Sequence, residues 1–191
     1  MKKRIMIGGF GGQGVMLAGQ VLCYSAMEAN KAGVTFFPSY GTEQRGGTAN
    51  CFVVISDDPV GAPIPQEVDD FIAFNDAALA KFEGKVCPGG SIFLNSSVVK
   101  GEPGRSDIQV VKVPATEIAV GLGSARSQNL VMLGAYLGYT GLVDMDSAQT
   151  IVEKKLGKKR PQMVPINRQA LSEGYEIGNR ALLETERGRG R

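Results

Sequence analysis

Arg4-Ile5-Met6-Ile7-Gly8-Gly9-Phe10-Gly11-Gly12-Gln13-Gly14 changes character halfway along its length. Ile5, Met6 and Ile7 suit a buried strand, the glycines that follow leave almost no side-chain bulk, and Val15 begins a stretch of helical periodicity. Strand, glycine loop and helix follow one another. Clustered glycines permit positive φ and close backbone approach, so successive N–H groups can turn inward ahead of the positive end of a helix. The loop is therefore read as a seat for an anion.

Gly9-x-Gly11-x-x-Gly14 has the spacing of the dinucleotide fingerprint, in the strand-to-helix context that gives such a match its meaning. The fingerprint also needs an acidic residue at the end of the second strand. That strand reads Gly33-Val34-Thr35-Phe36-Phe37-Pro38, with Glu28 too early and Glu43 too late. Three readings stand: a tight turn for close packing of helix on strand, a nicotinamide pocket, and a phosphate or cofactor contact of another kind.

Downstream, Val15, Ala18, Gly19, Leu22, Ala26 and Ala29 recur at helical spacing, which predicts a helix buried against a sheet. Val34 to Phe37 is a second strand. The segment after it, from Pro38 through Ser39, Tyr40, Gly41, Glu43, Arg45, Gly46 and Gly47 to Thr48, is polar and glycine-rich. It falls at the C-terminal edge of a parallel sheet, where open α/β sheets take their ligands. Topology sets it beside the first glycine loop, and Arg45 offers a fork of donors for phosphate or carboxylate. The plainer alternative is a surface turn with Arg45 paired to Glu43 or solvated.

Further strands are expected at Ala49 to Ile55, Phe71 to Phe74, Ser91 to Asn95 and Gln109 to Val113. Helices are expected from an Asn75 cap to Phe82, and over Ala115 to Leu122, Leu130 to Tyr139, Asp146 to Leu156 and Asn167 to Glu186. Pro88-Gly89-Gly90 reads as a turn, Lys100 to Asp107 as an exposed excursion, and Asp57, Asp58, Asp69 and Asp70 as turn and cap residues. Gly134 and Gly138, four apart, suit close helix approach. Lys154, Lys155, Lys158, Lys159 and Arg160 form the one dense cationic cluster, which suits a helix C-terminus. The expected architecture is α/β and Rossmann-like: three layers, with a mostly parallel open sheet and helices on both faces. One domain spans 1–186, and 187–191 form a disordered basic tail.

A chain of 191 residues can bury a single core without staples. A net charge of +2 asks for no nucleic acid. With no histidine, histidine–metal sites and Ser-His-Asp or Cys-His sets are excluded. Cys23, Cys51 and Cys87 lie far apart and cannot supply an iron–sulfur cluster, so they read as small buried residues. No apolar run reaches the roughly eighteen residues of a membrane span, and the start lacks a signal-peptide core. A cytoplasmic location is expected.

Three stretches together resemble one family: Gly9-Phe10-Gly11-Gly12-Gln13-Gly14; Pro38-Ser39-Tyr40-Gly41 with Glu43 and Arg45-Gly46-Gly47; and Asn129-Leu130-Val131 with Leu133-Gly134-Ala135. The chain resembles the gamma subunit, or domain III, of the 2-oxoacid:ferredoxin oxidoreductases. It looks most like the small stand-alone gamma subunit of 2-oxoglutarate enzymes, with pyruvate, branched-chain 2-oxoacid and indolepyruvate enzymes as alternatives. The resemblance implies an assembly with alpha, beta and ferredoxin-like delta subunits that decarboxylates a 2-oxoacid, forms an acyl-CoA and reduces ferredoxin. Thiamine diphosphate, magnesium and iron–sulfur clusters would sit on the partners. This chain lacks the Gly-Asp-Gly signature for thiamine diphosphate and would hold no metal and no catalytic residue.

On that resemblance Gly9, Gly11, Gly12, Gln13, Gly14, Ser39, Tyr40, Gly41, Glu43, Arg45, Gly46 and Gly47 face a partner's active site, contacting coenzyme A or the oxoacid. A second reading makes the same loops purely an assembly surface. A third, a free-standing nucleotide-binding enzyme, lacks any acid–base or nucleophile set. Expressed alone, the chain is expected to self-associate, because a partner's surface would be uncovered.

Overall fold

The computed structural model describes residues 1–40, 47–158 and 160–189. Among them the chain runs β1 (Lys2–Phe10), α1 (Val15–Glu28), β2 (Gly33–Tyr40), β3 (Thr48–Ser56), β4 (Val68–Ala73), α2 (Asp76–Phe82), β5 (Val86–Asn95), β6 (Gln109–Val113), α3 (Ala115–Gly121), α4 (Gln128–Thr140), α5 (Met145–Ile151) and α6 (Val164–Arg189). The strands form a six-stranded sheet in the order β2-β3-β1-β4-β5-β6. β1, β4, β5 and β6 pair in parallel, while β3 runs antiparallel to both β1 and β2. The sheet is thus mostly parallel, with one reversed strand made possible by the β2–β3 connection.

That sheet divides the core in two because alternate residues of a strand face opposite sides. Ile5 and Ile7 of β1, Cys51, Val53 and Ile55 of β3, Ile72 of β4 and Phe93 of β5 face the larger half with α1, α4 and α6. Met6, Phe52, Phe71, Ile92 and Leu94 face the smaller half, which α2 covers with Ala78, Leu79 and Phe82. Strands covered on both faces read as continuous apolar runs, as β1 and β3 do.

Several boundaries differ from the sequence reading. β5 begins at Val86, so Pro88-Gly89-Gly90 lies inside a strand; the irregularity becomes a register shift opposite Val68 and Asp70 instead of a turn. β4 begins at Val68, which puts Asp69 and Asp70 inside a strand and not at a turn. There they pair with the neighbouring β1: Arg4 Nη2 lies 2.5 Å from Asp69 Oδ1, and Lys3 Nζ lies 2.9 Å from Asp70 Oδ2. α5 ends at Ile151 and continues as a π-helical stretch, Val152–Gly157. α6 starts at Val164 and reaches Arg189, so the helix passes its expected end and takes in residues 187–189.

Close packing of α4 and α6 rests on glycine in both. A Cβ on Gly134 would come within 2.0 Å of Leu171 O, one on Gly138 within 2.1 Å of Tyr175 O, and ones on Gly174 and Gly178 within 2.0 Å of Val131 O and Ala135 O. These contacts advance together along both helices, so the two run parallel with their N-termini at the same end.

Candidate functional site

β1 ends at Phe10, and the loop Gly11-Gly12-Gln13-Gly14 carries the chain into α1. Gly11 and Gly12 are exposed, so their backbone faces solvent and not the core. Gly14 caps α1 at φ 80°, a conformation that favours glycine, and a Cβ there would meet Asn129 Nδ2 at 2.7 Å. A glycine cap has no side chain to satisfy the first-turn N–H groups, and no acidic residue lies in that turn. The positive end of α1 is left open to an anion.

The second loop arrives at the same edge. Gly11 N–H donates to Gly47 O at 3.0 Å, where Phe10 of β1 faces Thr48 of β3. Phe10, Gly11, Gly12, Gly14, Val15, Met16, Leu17, Gly47, Thr48 and Ala49 line a cleft of about 390 Å³. Ser39, half-buried, faces Asn50 across the hairpin, and Tyr40 ends β2 facing Ala49. Gly41, Glu43, Arg45 and Gly46 lie outside the described residues.

A family model described as pyruvate ferredoxin/flavodoxin oxidoreductase matches residues 4–177, a span that includes both loops and the sheet they cap. The chain belongs to that family. The ketoisovalerate oxidoreductase subunit VorA of Methanothermobacter thermautotrophicus is 38% identical over 91% of this chain, which spans only 36% of that longer protein. The 2-oxoglutarate synthase subunit KorC of Methanocaldococcus jannaschii is 31% identical, with 93% of this chain covering 94% of it. In three dimensions the chain is similar to the gamma subunit of a keto/oxoacid ferredoxin oxidoreductase from Geobacter sulfurreducens, with TM-score 0.80 and 28% identity over 92% of this chain and 98% of that one.

In this oxidoreductase-family chain Gln13 does something other than offer its side chain to a ligand. Gln13 Oε1 accepts from Phe10 N–H at 2.7 Å and from Asn75 Nδ2 at 2.8 Å, while Nε2 donates to Phe74 O at 3.2 Å. The backbone N–H of Gln13 is also engaged, donating to Phe10 O at 3.2 Å. Gln13 is a latch that fixes the glycine loop against the turn between β4 and α2. Gly9 makes room for it: a Cβ there would lie 2.7 Å from Gln13 Oε1. Of the loop's backbone donors, those of Gly12 and Gly14 have no acceptor among the described residues.

Two residues of this site, Asn75 read as a helix cap and Asn129 read as part of the third family-like stretch, make contacts that the sequence did not show. Asn75 does cap α2, its side chain accepting from Ala78 N–H at 2.8 Å, and its other atom holds Gln13. Asn129, in the first turn of α4, donates to Gly14 O at 3.3 Å and so ties α4 to the start of α1. Nothing local to either residue announces its second partner.

The cysteines do not fit a cluster. Burial raises the Cys23 thiol to about 12 and pushes Cys51 higher still, aided by the Cys23 charge. Cys87, expected to be buried, is partly exposed, with Sγ 3.6 Å from Asp69 Oδ1. No helix among the described residues is long and apolar enough to cross a membrane.

Proposed function

We propose that this chain is the gamma subunit of a 2-oxoacid:ferredoxin oxidoreductase, and that its glycine-loop cleft completes a substrate or coenzyme A site formed with the catalytic subunits. The reaction of the assembly is oxidative decarboxylation of a 2-oxoacid to an acyl-CoA, with electrons passing to ferredoxin. The observation that carries the reading is the Gly11 N–H to Gly47 O bond of 3.0 Å, because it joins both glycine-rich loops at one cleft beside an uncapped helix N-terminus. Open N–H groups in such a cleft suit a phosphate of coenzyme A or the carboxylate of the oxoacid.

Chemistry on thiamine diphosphate with magnesium, and electron transfer through iron–sulfur clusters, belong in this proposal to alpha, beta and ferredoxin-like delta chains. The three buried or isolated thiols of this chain support that division. Its own contribution is to orient a charged group and exclude water around it. We put 2-oxoglutarate first as substrate, because a relative that this chain spans over 94% of its length is a 2-oxoglutarate synthase subunit. The greater identity to a ketoisovalerate subunit favours a branched-chain 2-oxoacid as second choice.

Arg45→Ala in the assembled enzyme tests the role of the second loop. The expected result is a raised KM for coenzyme A or for the oxoacid, with the complex still co-purifying intact. Unchanged KM for both, together with weakened co-purification, would leave only an assembly surface. Running the same assay with 2-oxoglutarate, 2-oxoisovalerate and pyruvate ranks the substrates.

A further inference from the structure

Asn75 closes a chain of hydrogen bonds that runs from α2 to the glycine loop. Its side-chain Oδ1 accepts from Ala78 N–H at 2.8 Å, as the cap of α2 requires, so the atom left facing the loop is Nδ2, which can only donate. That donor meets Gln13 Oε1 at 2.8 Å. On the other side of the same amide Phe74 O can only accept, and it takes Gln13 Nε2 at 3.2 Å. In this orientation Oε1 also lies 2.7 Å from Phe10 N–H, while Gln13 N–H returns to Phe10 O at 3.2 Å. Phe10 and Gln13 are bonded to each other twice, and the turn at Gly11 and Gly12 is fixed between them.

Turning the Gln13 amide over would set Nε2 against two donors, Phe10 N–H and Asn75 Nδ2, and Oε1 against the carbonyl of Phe74. Three favourable contacts would become three repulsive ones. Of these partners two are backbone groups, and Asn75 is the one side chain. Asn75 is 4% exposed, and neither it nor Gln13 lines the glycine-loop cleft, whereas Gly11, Gly12 and Gly14 do. Any effect of Asn75 on that cleft is therefore exerted through Gln13. Donors already aimed when an anion arrives avoid the cost of ordering the loop around it.

We propose that Asn75 is a positioning residue of the glycine-loop site: by orienting the Gln13 amide it holds the Gly12 and Gly14 N–H groups in the geometry that receives the charged group of coenzyme A or the oxoacid. The inference rests on the reading of this loop as a ligand contact. Capping and positioning predict different things. Serine caps a helix about as well as asparagine does but has no amide to reach Gln13. If Asn75 served only as the cap of α2, Asn75→Ser would change little.

The test is steady-state kinetics of the assembled enzyme carrying Asn75→Ser, Gln13→Met or both. Each single substitution is expected to raise KM for coenzyme A or for the oxoacid by about three- to tenfold, the scale of one net hydrogen bond, with kcat close to the parent value. The double variant should be no worse than Gln13→Met alone, because Asn75 acts through Gln13. Hydrogen exchange in the peptide spanning Gly8 to Gly14, followed before substrate is added, should be faster in Asn75→Ser than in the parent. Asp144→Ala removes the cap of α5, which does not line the cleft, and should lower the melting temperature while leaving both KM values unchanged.

Parent KM values in Asn75→Ser, beside a raised value in Arg45→Ala, would overturn the proposal and leave the cleft reading in place. Parent values in both would remove the cleft reading and this proposal with it. Unchanged exchange in the loop peptide would also overturn it, since the loop would then be held without Asn75. Additive losses in the double variant would exclude action through Gln13, and a loss of kcat that tracks the melting temperature would reduce Asn75 to a cap.

Discussion

Asp69 and Asp70 are adjacent in β4 yet titrate in opposite directions. Burial pushes Asp69 up, but the side chain and backbone N–H of Arg4 outweigh it and hold its carboxyl below the ordinary value. Asp70 is 1% exposed, and burial wins: its carboxyl is raised despite Lys3 and the Tyr136 hydroxyl, which donates at 3.1 Å. A depressed carboxyl contributes stability that is present above its unfolded value and lost as pH falls through the folded one. A raised one contributes stability that is present below its unfolded value and lost as pH rises through the folded one. Urea unfolding across the acid range should separate them, with unfolded values near ~4 for both. Asp69→Asn is expected to flatten the loss of stability below that point, and Asp70→Asn the loss above it. Parallel curves for both variants and the parent would contradict the assignment.

Helices α4 and α6 meet through paired glycines, and here the opposing terms can be compared. Alanine in place of glycine in a helix interior gains about 1 kcal/mol of propensity. A methyl on Gly138 would sit 2.1 Å from Tyr175 O, and a backbone carbonyl cannot swing aside as a side-chain tip can. Overpacking of a tight contact costs about 1–3 kcal/mol, which outweighs that gain. Gly138→Ala should therefore lower the melting temperature, whereas Gly121→Ala, where no atom lies within 4 Å of the added Cβ, should not lower it by a clash. Thermal denaturation of the two variants side by side decides the point. The same packing carries the N-termini of α4 and α6 to one end.

At the scale of the whole molecule, β2 forms one edge of the sheet and carries Phe37, which is 38% exposed. An edge strand offers unpaired backbone groups to another chain, and apolar rings beside it add area to bury. The isolated chain is expected to self-associate through this edge, and light scattering behind size exclusion measures it. Phe37→Glu should shift the population towards monomer. A parent chain that is monomeric at all concentrations would refute this use of the edge. Under the proposed function, co-expression with the catalytic subunits should compete with self-association if the same edge faces them.

The sequence by itself determined the strand–loop–helix opening, the position of most strands and helices, and the family, because those rest on local periodicity, glycine runs and caps. It also placed the two glycine-rich loops at one sheet edge through the rule that successive strands end there. Local pattern could not show that Asp69 and Asp70 lie inside a strand, since their reason for being there is Arg4 and Lys3 on the neighbouring β1. Nor could it show that Gln13 reaches across to Phe74 and Asn75, for these contacts close long loops in the chain. Tertiary structure decided them because hydrogen bonding and charge depend on which groups share a few ångströms of space, and separation along the chain does not encode that distance.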